Sequence, residues 1–243
     1  MKKLLAGLLL SVVFPMPSMA AITFINSNSA RSSDGNTVTS GAVSMSGANF
    51  CTISVSFAKS VVPTITDSTS ATWNARTQYD TGSISNAVRI YYANLTGNAS
   101  HTFTMTCTAC FPSGEMLCFS GVKSSSPYDT ENGTASTGVT SLQPGSITPS
   151  EDNTVVISGL SYSAASSPAI DSSFSTPVTM DHRAAMNYGG SGAYKIQTTA
   201  AAVNPTWSSI ASSDVAATQA SFKSEPASSG PAAGSLSMMG MGK

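Results

Sequence analysis

The chain has 243 residues, of which 41% are hydrophobic and only 9% are charged, against about 25% charged residues in an average globular domain. A formal net charge of -1 provides no basic stripe for a phosphate backbone, so we expect no nucleic-acid partner. The polarity comes mostly from serine, threonine, asparagine and glycine, which indicates a hydroxyl-rich surface around one sizeable core.

The N-terminal 20 residues have the pattern of a secretory signal peptide. Lys2 and Lys3 precede an apolar run over residues 4–14, and Ser18 and Ala20 are the small residues that a signal peptidase recognises. The run is too short to cross a membrane, which takes about 20 apolar residues. We therefore expect cleavage after Ala20, no membrane span in the mature chain, and an extracellular or periplasmic location.

Hydrophobic residues alternate with polar ones along most of the remaining chain. Residues 50–58, "FCTISVSFA", alternate in this way, as a strand with one buried face does. The same pattern predicts strands at residues 36–46, 86–94, 101–108, 115–122, 153–163, 192–200 and 215–223. Turn formers separate them at residues 34–36, 94–98, 112–114, 132–133, 144–145 and 189–190.

These many short strands predict an all-β fold, an antiparallel two-sheet sandwich of jelly-roll or immunoglobulin-like type. Only residues 214–220, "DVAATQA", are compatible with a helical turn, and they also suit the approach to a last strand. We predict three regions: the signal peptide at 1–20, a single sandwich domain at 21–223, and a flexible low-complexity tail at 224–243.

Three of the four cysteines, Cys107, Cys110 and Cys118, fall within 12 residues, and the fourth is Cys51. An oxidising compartment favours disulfides for all four. If residues 111–114 turn a symmetric hairpin, Cys107 lies opposite Cys118, which favours that pair together with Cys51–Cys110. The main rival joins Cys51 to Cys107 and Cys110 to Cys118, and spacing alone leaves the choice open.

Two other uses of these cysteines are disfavoured. His101 and Cys107 are six residues apart on one predicted strand, about 20 Å at roughly 3.3 Å per residue, too far to share a zinc ion. Cys107 and Cys110 have the spacing of a redox pair, but their strand-like flanks lack the helix start that lowers a thiol pKa. We expect no metal site and no cofactor.

A serine hydrolase is the weakest functional alternative. Ser161 and Ser191 lie in segments that come within one residue of the G-x-S-x-G pattern, and His182 is the available base. Asp181 is adjacent to His182, so on a strand the two side chains point to opposite faces and do not line up as a triad requires. We expect no enzymatic activity.

Exposed aromatic side chains are the candidate ligand-binding residues, because they can stack on sugar rings. The candidates are Trp73, Tyr91, Tyr92 and Trp207. Tyr91 and Tyr92 are adjacent on a predicted strand, so they face opposite sides and we expect only one of them in the core.

The order of four segments resembles a known type of domain. The segments are "TITDSTSATW" at residues 64–73, "VRIYYANLTGNASHTFTMTCT" at 88–108, "FSGVKSSSPYD" at 119–129 and "ATQASFK" at 217–223. This order resembles a loosely defined β-sandwich domain of uncharacterised bacterial secreted proteins and phage virion proteins. The resemblance implies surface display, adhesion or particle structure and carries over no catalytic residue. The cysteines and the leader favour the secreted bacterial form.

The sequence therefore predicts a non-catalytic secreted structural or adhesive protein with a disulfide-stabilised sandwich. The expected partner is a cell-surface or glycan ligand, and self-association is also expected. The alternatives are a carbohydrate-binding module that uses the exposed aromatics and, second, a secreted serine hydrolase.

Overall fold

The structure is a computed structural model that describes residues 19–80, 82, 85–171, 173–177, 179–180 and 188–227. These residues form fifteen strands and no helix. All the strand pairs are antiparallel, so the prediction of an all-β antiparallel sandwich is confirmed. Residues 214–220 belong to a strand rather than a helical turn. Within the described residues no helix exists that could cross a membrane.

The first half of the chain builds one five-stranded sheet, called here the N-sheet. Its order is β1-β8-β3-β6-β5. The strands are β1 (Thr23–Arg31), β8 (Ser113–Ser120), β3 (Phe50–Ala58), β6 (Asn86–Asn94) and β5 (Asn74–Ala75). β3 lies in the middle of the sheet, between β8 and β6.

The second half builds another five-stranded sheet, the C-sheet. Its order is β12-β13-β10-β15-β9. The strands are β12 (Thr179–Met180), β13 (Gly189–Gln197), β10 (Thr154–Tyr162), β15 (Ser213–Lys223) and β9 (Tyr128–Val139). The N-sheet and the C-sheet pack face to face, with β3 and β6 of the first against β10 and β15 of the second.

Two smaller sheets cover the outer faces of this sandwich. The first has the order β2-β7-β4, and the second pairs β11 with β14. Their strands are β2 (Val38–Thr39), β7 (Phe103–Thr106), β4 (Thr64–Asp67), β11 (Ala169–Ile170) and β14 (Trp207–Ser208). The four sheets thus form stacked layers, whereas alternation along single strands predicted only the two main ones.

The outer layers explain why the middle strands are buried on both faces. On β3, Cys51, Ile53, Val55 and Phe57 pack with Phe103 and Met105 of the outer sheet. The alternate side of β3 faces the C-sheet, where Phe50 packs with Val155 and Phe222. The serines of β3 also lie on this inner face, so its polar alternation marks an interface between sheets rather than a solvent face.

Three predicted turns lie wholly or largely in strands, so these three turn predictions are wrong: residues 132–133, residues 189–190, and residues 112–114, of which Ser113 and Gly114 begin β8. Asn132 and Gly133 lie in the middle of β9, and Gly189 and Gly190 begin β13. A Cβ on Gly133 would lie 2.4 Å from the Tyr79 ring, and one on Gly189 would lie 2.3 Å from the Tyr162 ring. Glycine is present because an aromatic ring lies against the backbone at each position. The Tyr79 ring beside the N-sheet covers Gly133, and Tyr162, the partner of Gly189 on the adjacent strand of the same sheet, covers Gly189.

The predicted region boundaries stay predictions. The structure shows contacts of the residues next to two of these boundaries, Ala20 and Ser224. Residues 1–18 of the predicted signal peptide and residues 228–243 of the predicted tail lie outside the described residues. Ser224 is buried and forms a bridge with Val122, so the sandwich continues beyond Lys223. The amide of Ala20 donates to the carbonyl of Glu225 at 2.8 Å.

Candidate functional site

The four cysteines form two disulfides, Cys51–Cys118 and Cys107–Cys110. Both predicted connectivities are therefore wrong, although disulfides for all four cysteines are confirmed. The predicted hairpin fails because β7 and β8 do not pair. β7 lies in the outer sheet between β2 and β4, whereas β8 lies in the N-sheet. Residues 107–112 carry the chain from one layer to the next.

Cys51–Cys118 joins β3, the middle strand of the N-sheet, to its neighbour β8. The residues lie directly opposite in the β3–β8 register, with their Cα atoms 4.1 Å apart. Both are fully buried, in the apolar cluster between the N-sheet and the outer sheet. This bond fixes the register of β3 against β8.

Cys107–Cys110 closes a small loop at the edge of the molecule. The loop rests on the turn at residues 34–37, where the carbonyl of Gly35 accepts hydrogen bonds from the amides of Cys110 at 2.9 Å and Phe111 at 3.1 Å. Thr37 Oγ1 accepts from the Cys107 amide at 3.3 Å. Cys110 is fully buried, whereas Cys107 is half-buried.

The four predicted ligand-binding aromatics do not form one platform. Trp207 is fully buried and its Nε1 donates to Ser158 Oγ at 2.9 Å. Tyr91 is 4% exposed, and its hydroxyl donates to the carbonyl of Pro63 at 3.0 Å. These two side chains are not available to stack on a ligand. Trp73 and Tyr92 are half-buried and stay candidates.

Trp73 and Tyr92 lie on opposite faces of the N-sheet. Trp73 packs with Tyr91 in the outer cluster. Tyr92 packs toward the C-sheet, with its ring centroid 5.2 Å from that of Phe222. Only Tyr91 is buried in the core, as expected from the sequence, whereas Tyr92 is half-buried and packs against the apolar cluster on the opposite face of the N-sheet.

A polar and aromatic cluster that the sequence did not single out lies where the edges of the two main sheets meet. It consists of Arg76, Tyr79, Tyr128 and Glu131 and is called the edge cluster here. Arg76 donates from Nε to Glu131 Oε2 and from Nη2 to Glu131 Oε1, both at 3.1 Å. The Arg76 guanidinium carbon lies 3.4 Å from the centroid of the Tyr128 ring. Arg76 and Glu131 are 55 positions apart, so no local sequence pattern reveals the cluster.

The environment of the edge cluster changes the pKa values of its groups. Burial alone would raise the pKa of Glu131, but hydrogen bonds from Arg76 and Thr77 and the charge of Arg76 lower it below its ordinary value. Burial raises the pKa of Tyr79 and of Tyr128. The cluster thus contains the ion pair Arg76–Glu131, with the Arg76 guanidinium against the Tyr128 ring. It joins β9 of the C-sheet to residues 76–79 beside the N-sheet.

His101 and Asp67 form a buried pair beneath the outer sheet. His101 Nε2 lies 3.7 Å from Asp67 Oδ2, and both side chains are fully buried. Asp67 Oδ1 accepts from the amides of Thr69 at 2.9 Å and Ala71 at 3.0 Å. Neither ring nitrogen of His101 has a hydrogen-bond partner among the described residues. The segments "TITDSTSATW" and "HTFTMTCT" therefore meet through this pair.

Burial lowers the pKa of His101 below its ordinary value of 6.5, although the charge of Asp67 acts in the opposite direction. The folded state then binds fewer protons than the unfolded state below about pH 6.5. Stability associated with His101 is complete above that pH and is lost as the pH falls toward and through the folded pKa. We expect the free energy of unfolding to decrease more between about pH 7 and pH 5 in the wild type than in His101→Gln.

The ring protons of His101 provide a direct check by NMR titration, with His101→Gln assigning the signal in a chain that has two histidines. A His101 pKa at or above 6.5 would contradict the prediction. The control is Asp67→Asn, which removes the charge that raises the pKa of His101 and should lower it further.

The hydrolase candidates are enclosed where the structure describes them. Ser161 is fully buried, 2.7 Å from Ser56 Oγ and 2.6 Å from Asn86 Nδ2. Ser191 is 2% exposed. His182 and Asp181 lie outside the described residues. Among the described residues, no group of three or more His, Cys, Asp or Glu side chains is arranged to hold a metal ion.

The serines and Glu115 form instead a buried polar layer between the N-sheet and the C-sheet. Its members are Ser54, Ser56, Asn86, Ser113, Glu115 and Ser161. Glu115 Oε2 accepts a hydrogen bond from the amide of Gly192 at 2.7 Å, which joins β8 to β13 across the interface. Three glycines of the C-sheet, Gly159, Gly190 and Gly192, face this layer and let the backbones approach.

Comparison with known proteins gives no match to this chain, either among family models, among curated proteins or among solved structures. The resemblance to a β-sandwich domain of bacterial secreted and phage virion proteins stays a prediction.

Proposed function

We propose that the chain is a non-catalytic secreted protein with a structural or adhesive role, held together by its two disulfides. The observation that carries the proposal is Cys51–Cys118, a disulfide between the middle strand of the N-sheet and its neighbour, with both residues fully buried. Disulfides of this kind form and persist in oxidising compartments, outside the cytoplasm. The apolar leader at residues 4–14 supports the same location.

The hydroxyl-rich surface and the construction of the sheet edges support a structural role. On edge strand β1 the amides of Ser27 and Ser29 donate to the side-chain oxygens of Asn26 and Asn28, each at 2.9 Å. On edge strand β9 the amide of Gly133 donates to Asn132 Oδ1 at 2.9 Å. Capped amides of this kind discourage pairing with further strands. Self-association or attachment would therefore use side chains rather than strand addition at these edges.

The first test is expression of the full chain in a bacterial host, followed by fractionation and intact mass measurement with and without reductant. We expect the protein outside the cytoplasm, beginning at Ala21, with no cysteine alkylated before reduction. Cytoplasmic protein with free thiols would overturn the secreted assignment. Labelling of Ser161 or Ser191 by a fluorophosphonate probe would overturn the non-catalytic assignment, with denatured protein as the control for nonspecific labelling.

The structural or adhesive role is tested with the same purified protein on whole bacterial and epithelial cells and by sedimentation. Saturable binding to cells, or reversible self-association, is the expected outcome. A protein that stays monomeric and binds no surface would contradict the role.

The carbohydrate-binding alternative keeps Trp73 and Tyr92, and Trp73 is the tryptophan that can report on binding, because Trp207 is fully buried and the chain has two tryptophans. A change in tryptophan fluorescence on addition of a glycan, absent in Trp73→Phe, would favour this alternative. Trp207→Phe is the matched control, and it should leave the response unchanged.

A further inference from the structure

We propose that Cys107–Cys110 is a thiol–disulfide exchange site, which an external dithiol reduces reversibly while Cys51–Cys118 stays intact. The two disulfides differ in exposure and in backbone conformation, and both differences favour reaction at the Cys107–Cys110 loop.

The first difference is access to sulfur. Cys107 is half-buried, and the two residues between the cysteines, Thr108 and Ala109, are exposed. Cys110, Cys51 and Cys118 are fully buried. An attacking thiolate must approach a disulfide sulfur directly, so access strongly affects the rate. Cys107 Sγ is therefore the sulfur that an external thiolate reaches.

The second difference is backbone strain in the loop. Ala109 has φ 55° and Phe111 has φ 49°, both in the left-handed region that residues with a Cβ rarely adopt. Neither Cys51 nor Cys118, nor any neighbour of theirs in β3 or β8, has a positive φ among the described residues. Opening the ring formed by residues 107–110 lets Ala109 relax, which favours reduction, whereas Phe111 lies outside the ring.

A further feature of the loop is that hydrogen bonds anchor its backbone at both cysteines. The turn at residues 34–37 holds the backbone of Cys107 and Cys110 through Thr37 and Gly35. The carbonyl of Cys110 also accepts from the amide of Ala58 at 2.7 Å. Both cysteines thus stay close together after reduction, so the bond can form again.

The exchange proceeds in two balanced steps. A thiolate of the dithiol attacks Cys107 Sγ, a mixed disulfide forms, and Cys110 leaves as a thiolate that takes a proton from solvent. The second thiol of the reagent, after loss of its proton, attacks the reagent's own sulfur in the mixed disulfide. Cys107 leaves as a thiolate and is protonated in turn. The protein gains two electrons and two protons, and the dithiol becomes a disulfide.

This site is a target of a redox partner rather than a catalyst, because its flanks are strand and turn. It has no helix start to lower the pKa of Cys107, the reason for which the sequence disfavoured a redox role for this pair. We therefore assign no catalysis to it, only exchange with an external dithiol. Its partner is a dithiol reductant or the corresponding disulfide oxidant.

The first experiment treats the oxidised, folded protein with increasing dithiothreitol, blocks free thiols with iodoacetamide and maps the alkylated cysteines by mass spectrometry. We expect Cys107 and Cys110 to be alkylated at least about tenfold faster than Cys51 and Cys118. Reduction of the two disulfides at equal rates, or of Cys51–Cys118 first, would overturn the proposal.

The second experiment separates the two cysteines of the loop. Cys110→Ser leaves Cys107 as a free thiol, and Cys107→Ser leaves Cys110, so each variant lacks the same disulfide. With oxidised glutathione we expect Cys107 to form a mixed disulfide at least about tenfold faster than Cys110. Near-UV circular dichroism establishes that both variants are folded. Equal rates, or a faster Cys110, would contradict the assignment of Cys107 as the attacked sulfur.

The third experiment tests strain. Ala109→Gly removes the cost of the left-handed conformation, so we expect the equilibrium ratio of reduced to oxidised dithiol needed for half-reduction to rise about five- to thirtyfold. Thr108→Gly is the matched control, because the neighbouring Thr108 does not have a positive φ. Equal shifts in the two variants would show that strain does not favour opening.

Discussion

Replacing Cys51 and Cys118 together by alanine should lower the free energy of unfolding by about 4 to 5 kcal/mol on the chain-entropy estimate, since they are 67 residues apart. The bond limits the unfolded chain over more than a quarter of its length. Both residues are also fully buried in the apolar cluster, so the loss of two sulfur atoms leaves small voids that add to the cost. Guanidinium denaturation followed by tryptophan fluorescence measures the effect.

The matched control is the double replacement of Cys107 and Cys110 by alanine. These residues are three apart, so the same estimate gives only about 2 kcal/mol, and relief of strain in the loop reduces it further. The decisive result is which of the two double variants loses more stability. If the small-loop variant lost as much stability as the Cys51/Cys118 variant, Cys51–Cys118 would not be the main covalent restraint of the fold.

The strands of the main sheets could be predicted because alternation is a local property. Residues 50–58 and 86–94 coincide with β3 and β6, and 153–163 and 215–223 cover β10 and most of β15. β1 and β9 were not predicted, since edge strands that are only half-buried lack a strong alternation. The sequence "TFINSNSAR" of β1 is mostly polar beyond Ile25.

Contacts between strands that are distant in sequence, whether within a sheet or between layers, were not predictable, because they depend on strand order. Cys51 is paired with Cys118 only because β3 and β8 are neighbours in the N-sheet. Gly133 is an example on a smaller scale. After an asparagine it has the local pattern of a turn, yet the Tyr79 ring covers it in the middle of β9. The edge cluster joins Arg76 to Glu131, which are 55 positions apart.

We expect the second large loss of stability for Glu115→Ala, which removes a side chain from the buried polar layer between the two main sheets. Glu115 is fully buried, and its Oε2 accepts the hydrogen bond from the Gly192 amide across the interface. Alanine would leave that amide without this acceptor and open a void between β8 and β13. The two costs together should lower the free energy of unfolding by about 3 to 5 kcal/mol. Urea denaturation of the oxidised protein measures the difference.

Glu115→Gln keeps a side chain of similar size and an oxygen that can accept the hydrogen bond from the Gly192 amide. We therefore expect a loss of less than about 1.5 kcal/mol. If glutamine were as costly as alanine, an oxygen acceptor at this position would not be sufficient to hold the layer together. If alanine were as stable as the wild type, Glu115 would not stabilise the packing of the two sheets, and the apolar contacts of Phe50, Val155 and Phe222 would suffice.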